Sequence, residues 1–262
     1  MISIVPVVAW VTLALFAFFV IAGAERITLW SHRKYTSAAV RYVFTFVVAY
    51  ITVSVYAKLV LNLSTEQIGL KPNAGSVMQF FLGTAVGTGL AVTVTLIMWF
   101  SGGITIRRLV GGHRGAGRWL LITSVLSFLQ AATEEIFLRT SLLKQLILTM
   151  DQDMACWLWG ITFGAIHLLN RRYTPLAVLS TAFAGVMLSY VFVRTGSVWT
   201  SIGIHGAWNF IVFQVVMSGR VIAVTYSPSI LRGRGHGGLE GSLASVFVLA
   251  GAALWITFND FS

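Results

Sequence analysis

Two adjacent carboxylates, Glu134 and Glu135, lie in a stretch of the chain that is otherwise apolar. A charge near the centre of a bilayer costs about 2.5–3.5 kcal/mol on insertion scales, and such residues usually face the protein interior and mark a function. Glu135 and Arg139 are spaced i, i+4, so a structural ion pair on one helix face accounts for both. That pair leaves Glu134 unexplained, which makes it the first candidate for a functional carboxylate. The six other acidic residues fall in loops or at segment ends: Glu25, Glu66, Asp151, Asp153, Glu240 and Asp260.

Two further apolar stretches carry polar or aromatic side chains at i, i+4 spacing, Phe163 with His167 and His205 with Asn209. Residues four apart share a helix face, so the side chains of His205 and Asn209 can reach the same point in space. A carboxylate and two imidazoles inside a membrane are hard to explain by packing alone. We therefore expect Glu134, His167, His205 and Asn209 to form one site.

The relative depth of these residues follows from their distance along the chain to the turn near Asp151. Glu134 lies 17 residues before Asp151, and His167 lies 16 residues after it. At a rise of 1.5 Å per residue, both lie about 25 Å from that turn, so they are level in an antiparallel helical hairpin. His205 lies nine residues after Gly196 and comes within reach if its helix is tilted.

Such a group of side chains can hydrolyse an amide bond in two ways. A carboxylate beside a His can take a proton from water, while a His and an Asn donate hydrogen bonds to the oxyanion that forms at the carbonyl. Alternatively, Glu134, His167 and His205 could bind zinc, which accepts nitrogen and oxygen ligands and lowers the pKa of its bound water. The residues alone do not decide between metal-free and zinc-dependent chemistry.

The composition is that of an integral membrane protein. Of the 262 residues, 57% are apolar and only 10% are charged, whereas a soluble domain carries about 25% charged residues. No polar block is long enough to fold separately, so we expect a single membrane domain over residues 1–262. Cys156 is the only cysteine, which excludes an intrachain disulfide. The first apolar run is too long for a typical signal peptide and lacks a preceding basic region, so we interpret it as a transmembrane helix.

Eight apolar runs approach the roughly 20 residues needed to cross a bilayer, which predicts an all-α bundle of about eight transmembrane helices. The runs are Ser3–Ala24, Tyr42–Leu63, Val77–Ile104, Trp119–Met150, Met154–Leu169, Leu176–Val193, Val198–Met217 and Leu243–Phe258. In the third run, Gly83 and Gly87 form a small-xxx-small pattern with Gly89 beside them, which predicts close packing against another helix.

The loops between these runs alternate in charge. Thirteen of the 18 basic residues lie in the loops after the first, third, fifth and seventh runs. This positive-inside pattern places those loops in the cytoplasm and both termini outside, and the expected location is the bacterial cytoplasmic membrane. The net charge of +10 has the same origin and does not indicate nucleic-acid binding. The last of these loops, Tyr226–Gly241, is rich in Gly and Arg and is predicted to be a flexible connection, with a ligand clamp as the alternative.

Three motifs together resemble those of the CPBP (Abi) intramembrane proteases, a family that includes the type II CAAX prenyl endopeptidases and bacteriocin self-immunity proteins. The motifs are Glu134-Glu135-x-x-x-Arg139, Phe163-x-x-x-His167 and His205-x-x-x-Asn209. Each motif alone is weak, but their order, helix placement and spacing are specific, and the resemblance is strong over residues 119–209. It implies an intramembrane endopeptidase that cuts a membrane-associated protein or peptide.

The resemblance also implies a role for each residue. Glu134 would be the general base, and His167 would help to orient the water. His205 and Asn209 would form the oxyanion site. The supporting residues would be Glu135, Arg139 and Phe163, the first two mainly bracing the architecture. No cofactor is certain, and zinc remains a candidate.

Two other functions could use the same residues. A non-catalytic membrane immunity or partner protein would keep the polar cluster for folding or for binding a peptide. An ion or proton transporter would use Glu134, Glu135 and the His residues as a relay. Nothing in the chain resembles the paired broken helices of inverted-repeat transporters, which argues against the last alternative.

Overall fold

The computed structural model describes residues 34–109, 116–169, 173–226 and 238–259. These residues form seven helices and confirm an all-α membrane bundle. The helices are α1 (Lys34–Tyr56), α2 (Ala74–Phe100), α3 (Ala116–Phe137), α4 (Gln152–Ile166), α5 (Pro175–Thr195), α6 (Val198–Asn209) and α7 (Leu243–Phe258). The first predicted run, Ser3–Ala24, lies outside the described residues, so the count of eight spans stays a prediction.

Three helices change from α-helical to π-helical geometry without a break in the chain. Helix α1 continues as a π-helical segment over Ala57–Leu61, α3 over Leu138–Leu143 and α6 over Phe210–Val216, and α3 then resumes as an α-helix over Lys144–Ile147. Short π-helical segments often occur at functional sites. The π-helical segment after α3 contains Arg139, and the one after α6 begins directly after Asn209.

Four helical segments in the described part of the chain are long and apolar enough to cross a membrane. They are Ala39–Leu61, Ala74–Phe100, Gly117–Ile147 and Pro175–Thr195. The helices that carry the two motif histidines are shorter, since α4 has 15 residues and α6 has 12 before its π-helical segment. At 1.5 Å per residue, α4 is about 22 Å long, less than the roughly 30 Å of a hydrocarbon core.

The third apolar run was predicted to continue as a helix to Ile104, and this prediction is wrong. Helix α2 ends at Phe100, and the chain then turns through Gly102, whose φ of +73° suits a residue without a Cβ. Ile104–Leu109 forms strand β1, which pairs antiparallel with strand β2, Ile222–Tyr226. The register shifts at a bulge between Ile106 and Arg108.

The strand pair brings together the loops that follow the third and seventh apolar runs. At the opposite end of the bundle, the amide of Val198 donates to the carbonyl of Gly69 at 3.0 Å. The hydroxyl of Tyr190 donates to Asp153 there, also at 3.0 Å. These contacts agree with the alternation of loops that the basic residues predict. Which end of the bundle faces the cytoplasm stays a prediction.

Helices α2 and α6 approach each other closely through glycine. A Cβ at Gly83 would overlap the backbone of Thr200, and a Cβ at Gly87 would overlap the backbone of Ile204. The small-xxx-small pattern is therefore confirmed as a packing feature, whereas Gly89 has nothing within 4 Å of a Cβ position. This contact places α6 deep in the bundle and so positions the residues that α6 carries.

Candidate active site

A cavity of about 230 Å³ lies inside the helical bundle. Its polar lining includes the four candidate residues Glu134, His167, His205 and Asn209. They come from three helices or helix ends, α3, α4 and α6. The structure therefore brings together the side chains that the sequence predicted to meet.

Glu135 connects an ion pair to one of the imidazoles. Its Oε2 lies 3.2 Å from Nε of Arg139, and both side chains are completely buried. Its Oε1 lies 2.8 Å from Nδ1 of His205. A carboxylate can only accept a hydrogen bond, so Nδ1 of His205 carries the hydrogen and Nε2 is left facing the cavity. Glu135 thus orients His205 in addition to balancing Arg139.

Arg139 has no well-aligned hydrogen bond within the described residues, although it is fully buried. The carboxylate of Glu135 compensates its charge, and its guanidinium lies over the ring of Phe163 at 4.9 Å from the centroid. A cation above an aromatic ring is attracted by the ring's quadrupole. Phe163 therefore helps to hold the ion pair as well as the histidine on its own helix.

Glu134 faces the cavity, and its side chain is 32% exposed. The amide nitrogen of Gln130 donates to its Oε1 at 3.2 Å. Its Oε2 lies 3.8 Å from Nε2 of His205, which is too long for a direct hydrogen bond. The carboxylate and the imidazole therefore both point into the same space without being locked to each other.

His167 lies at the end of α4, where the helix tightens into a 3₁₀ turn over His167–Leu169. Its Nδ1 donates to the carbonyl oxygen of Phe163 at 2.8 Å. Its ring lies 4.9 Å from the rings of both Phe163 and Tyr173. The imidazole is thus held between two aromatic rings, with Nδ1 committed to the backbone and a lone pair on Nε2 in the neutral form.

Asn209 is the last α-helical residue of α6 and is only 9% exposed. Its side chain lines the cavity. The amide nitrogen of Asn209 can donate a hydrogen bond to a group that enters the cavity.

The zinc alternative depends on how these side chains are arranged. In the described ranges, no three His, Cys, Asp or Glu side chains are placed to hold a metal ion. The Nδ1 atoms of His205 and His167 donate to Glu135 and to the Phe163 carbonyl. Metal-bound histidines usually donate their second ring nitrogen in the same way, so these hydrogen bonds are compatible with either chemistry, and metal dependence stays a prediction.

Sequence reasoning missed two cavity residues, Glu240 and Tyr173. The carboxyl of Glu240 accepts from the indole nitrogen of Trp208 at 3.2 Å and from the hydroxyl of Tyr173. Burial raises the pKa of the Glu240 carboxyl above its ordinary value, although these hydrogen bonds oppose the rise. Burial and the neighbouring carboxylate also raise the pKa of Tyr173, which keeps its hydroxyl a donor.

The loop Tyr226–Gly241 was predicted to be a flexible connection, and this is wrong for the end that the structure describes. Leu239 is completely buried, and the hydroxyl of Ser180 donates to the main-chain oxygen of Glu240 at 2.8 Å. Residues 227–237 lie outside the described ranges. The only sequence signal for this contact was an isolated acidic residue just before the Ser242 cap of α7.

The fold and the cavity define an integral membrane protein with a polar cavity lined by several of its helices. Residues 116–211 match the family described as Type II CAAX prenyl endopeptidase Rce1-like. This match supports the CPBP (CAAX protease) family, in agreement with the recognition made from the three motifs. The family is a protease family. No curated protein matches the chain. The matched segment contains every candidate catalytic residue and ends before Glu240.

Proposed function

We propose that this protein is an intramembrane endopeptidase that hydrolyses a peptide bond in a membrane-associated protein or peptide. The observation that carries the proposal is the shared cavity of Glu134, His167, His205 and Asn209. Within it, Nε2 of His205 lies 3.8 Å from Oε2 of Glu134. A carboxylate, two imidazoles and an amide around one enclosed space supply a base and hydrogen-bond donors without further components.

The first step activates water. Glu134 takes a proton from a water molecule in the cavity, and the water oxygen attacks the carbonyl carbon of the scissile bond. The second O–H of the water donates a hydrogen bond to Nε2 of His167 and keeps its hydrogen, because Nδ1 of His167 is already a donor to the Phe163 carbonyl. Gln130 holds the Glu134 carboxylate by its other oxygen, which leaves Oε2 free to face the water.

The second step stabilises the oxyanion that forms on the former carbonyl oxygen. The amide of Asn209 is one donor. His205 donates from Nε2 only when the ring carries both protons, since Nδ1 already donates to Glu135. Glu135 then faces a cationic ring at 2.8 Å, as the acidic member of a hydrolase triad faces its histidine.

The last step breaks the carbon–nitrogen bond. The tetrahedral intermediate collapses, and the leaving nitrogen takes back the proton that Glu134 received from water. The products are a carboxylic acid and an amine, so the carboxyl of Glu134 returns to its starting state.

The cavity lining supports a membrane-embedded substrate. Besides its polar residues it contains the apolar side chains of Leu90, Phe213 and Leu249, which lie on α2, the π-helical segment after α6, and α7. Apolar walls with a few convergent polar groups are typical of sites that bind apolar ligands in one orientation. A transmembrane segment or a small membrane peptide fits this description, and so does a lipid-modified C-terminus.

Comparative proteomics of membrane peptides tests the proposal. Cells that carry the wild type are compared with cells that carry Glu134→Gln, and a peptide that accumulates uncut only in the variant is the substrate. Purified wild-type protein in lipid nanodiscs must then cut that peptide, and Glu134→Gln must not. A folded Glu134→Gln protein with the same biological effect as the wild type would instead support the non-catalytic immunity or partner function.

The metal question has its own measurement. Purified protein is treated with a chelator, its metal content is determined by mass spectrometry, and its cleavage rate is compared before and after treatment. The mechanism above predicts full activity at a metal content far below one ion per chain. Activity that disappears with the metal and returns with added zinc would contradict it.

A further inference from the structure

Glu240 connects three separate parts of the active-site wall. Its carboxyl accepts from the indole of Trp208 in α6 and from the hydroxyl of Tyr173, which precedes α5. Its main-chain oxygen accepts from the hydroxyl of Ser180 in α5. Glu240 itself precedes α7 and lies beyond the segment that matches the family. It is thus the point at which these elements meet at one end of the cavity.

The backbone around Glu240 is firmly held, so its carboxyl has a defined position. Gly238 has a φ of +58°, which suits a residue without a Cβ. The main-chain oxygen of Leu239 accepts at 2.6 Å from the hydroxyls of both Ser242 and Ser245. All three of these last residues are completely buried. Because the backbone of this turn is held, the Glu240 carboxyl can hold the side chains that donate hydrogen bonds to it.

One such constraint reaches His167. The Tyr173 ring lies 4.9 Å from the imidazole of His167 and forms one of the two aromatic walls that hold it. The hydroxyl of Tyr173 contacts the Glu240 carboxyl and Thr181. Removing the Glu240 carboxyl should therefore let the Tyr173 ring move away from the His167 imidazole, while the Phe163 ring on the other side stays in place.

A second constraint reaches the end of α6. Trp208 is 8% exposed and directly precedes Asn209. The hydrogen bond from its indole nitrogen to Glu240 fixes the rotation of the last α-helical turn. That turn aims the amide of Asn209 into the cavity, immediately before the helix becomes π-helical.

We propose that Glu240 is a positioning residue of the active site, acting on His167 through Tyr173 and on Asn209 through Trp208. This inference rests on the proposed function. Residues that hydrogen-bond to metal-ligating side chains and orient them typically change activity by about 10–100-fold when they are removed. We expect an effect of similar size for a residue that orients a catalytic side chain. We expect kcat to fall, because movement of Tyr173 and Trp208 misplaces His167 and Asn209. Substrate affinity does not have to change for this to happen.

The test compares Glu240→Ala with Glu240→Gln in the purified full chain. The amide oxygen of Gln can still accept from Trp208 and Tyr173, so Glu240→Gln should keep kcat within about threefold of the wild type, while Glu240→Ala loses about 10–100-fold. KM should stay nearly constant in both. Glu66→Gln, an exposed carboxylate paired with Lys71 at the other end of the bundle, is the matched control and should behave as wild type.

A double-mutant cycle with Tyr173→Phe separates positioning from a general loss of structure. If Glu240 acts through Tyr173, the losses of Glu240→Ala and Tyr173→Phe should not add, because both release the same ring. Fully additive losses, or equal losses in Glu240→Ala and Glu240→Gln together with a lowered melting temperature, would overturn the proposal.

Histidine NMR gives a readout that does not depend on catalysis. The ring signals of His167, assigned by their loss in His167→Ala, should move in Glu240→Ala and stay near the wild-type position in Glu240→Gln. A shift in Glu240→Ala with no peptidase activity in the wild type would support the positioning contact and refute the proposed function. Wild-type activity with unmoved His167 signals and unchanged kcat in Glu240→Ala would refute only the role of Glu240.

Discussion

The Nδ1 atom of His205 lies 2.8 Å from Oε1 of Glu135, and this contact joins α6 to α3 at the cavity. The same carboxylate faces Arg139 through its other oxygen at 3.2 Å. A residue that sequence spacing explained as half of an ion pair therefore also sets which nitrogen of His205 faces the cavity. Stability and orientation depend here on one buried side chain.

Replacing Glu135 should lower the stability of the folded protein. In Glu135→Gln the guanidinium of Arg139 remains buried without a counter-charge, and breaking a buried pair in this way costs about 3–5 kcal/mol. Thermal unfolding in detergent, followed by circular dichroism, should show a clear drop in melting temperature. Adding Arg139→Met should recover part of the loss, because the unpaired charge is then gone. An unchanged melting temperature in Glu135→Gln alone would contradict this account.

Glu134→Gln should abolish cleavage without lowering the melting temperature, in contrast to Glu135→Gln. The Glu134 side chain is partly exposed to the cavity and contacts Gln130 and His205, so a neutral amide of the same shape fits. An amide cannot take a proton from water at neutral pH. The melting temperature should match the wild type, while cleavage of the identified peptide becomes undetectable. Measurable turnover by this variant would remove Glu134 as the base.

Asn209→Ala should leave residual activity, whereas His167→Ala and His205→Ala should abolish cleavage. Removing one oxyanion donor typically costs about 10²–10³-fold in kcat. Single-turnover kinetics in nanodiscs measures the three rates on the same peptide. Asn259→Ala, at the far end of α7, is a control of the same residue type and should be fully active. Wild-type turnover by His167→Ala would overturn the assignment of that residue.

Two glycines of α2 offer a matched test of how α6 is positioned. Gly83→Ala places a Cβ against the backbone of Thr200, and overpacking of this kind costs about 1–3 kcal/mol. Gly89→Ala meets nothing within 4 Å and should be neutral or slightly stabilising, because Ala is a better helix former than Gly. The melting temperature should therefore fall in Gly83→Ala and stay the same or rise slightly in Gly89→Ala. Equal behaviour would contradict the close contact between α2 and α6.

The stability of the protein should depend on pH through Glu240. Burial raises the pKa of its carboxyl, so the folded state holds the proton more tightly than the unfolded state. The resulting penalty is absent below about pH 4, where both states are protonated, and grows as pH rises through the raised pKa. Glu240→Gln removes this titration. Its melting temperature relative to the wild type should therefore increase with pH above about 4, and a constant difference would refute the shift.

Much of the architecture could be predicted from local patterns. Apolar runs of bilayer length predicted most of the helices, because a lipid-facing segment must satisfy its backbone internally. The boundaries were less well predicted, as with the α2 end at Phe100 in place of Ile104. The strand pair of β1 and β2 has no signal in hydropathy, since its pairing joins residues that are more than 100 positions apart.

The sequence predicted that the four motif side chains would lie together, but it predicted neither their contacts nor the presence of Tyr173 and Glu240 beside them. Spacing at i, i+4 identified His205 with Asn209 and the pair of Glu135 with Arg139, because neighbours on a helix face are fixed by the helix itself. The hydrogen bond between His205 and Glu135 depends on the rotation and tilt of two helices. Glu240 was missed for the same reason, as its partners lie on α5, α6 and the preceding loop.

By itself, the sequence determined that the chain is a membrane protein, which helices carry polar groups and which residues make up the three motifs. These features depend on composition and on distances along one helix, where 1.5 Å per residue leaves little freedom. Only the tertiary structure decided that Glu135 contacts both Arg139 and His205, and that Glu240 lines the cavity and accepts a hydrogen bond from Trp208. Such contacts depend on how helices from distant parts of the chain pack, and packing is settled by the glycine contacts and buried charges of the whole bundle.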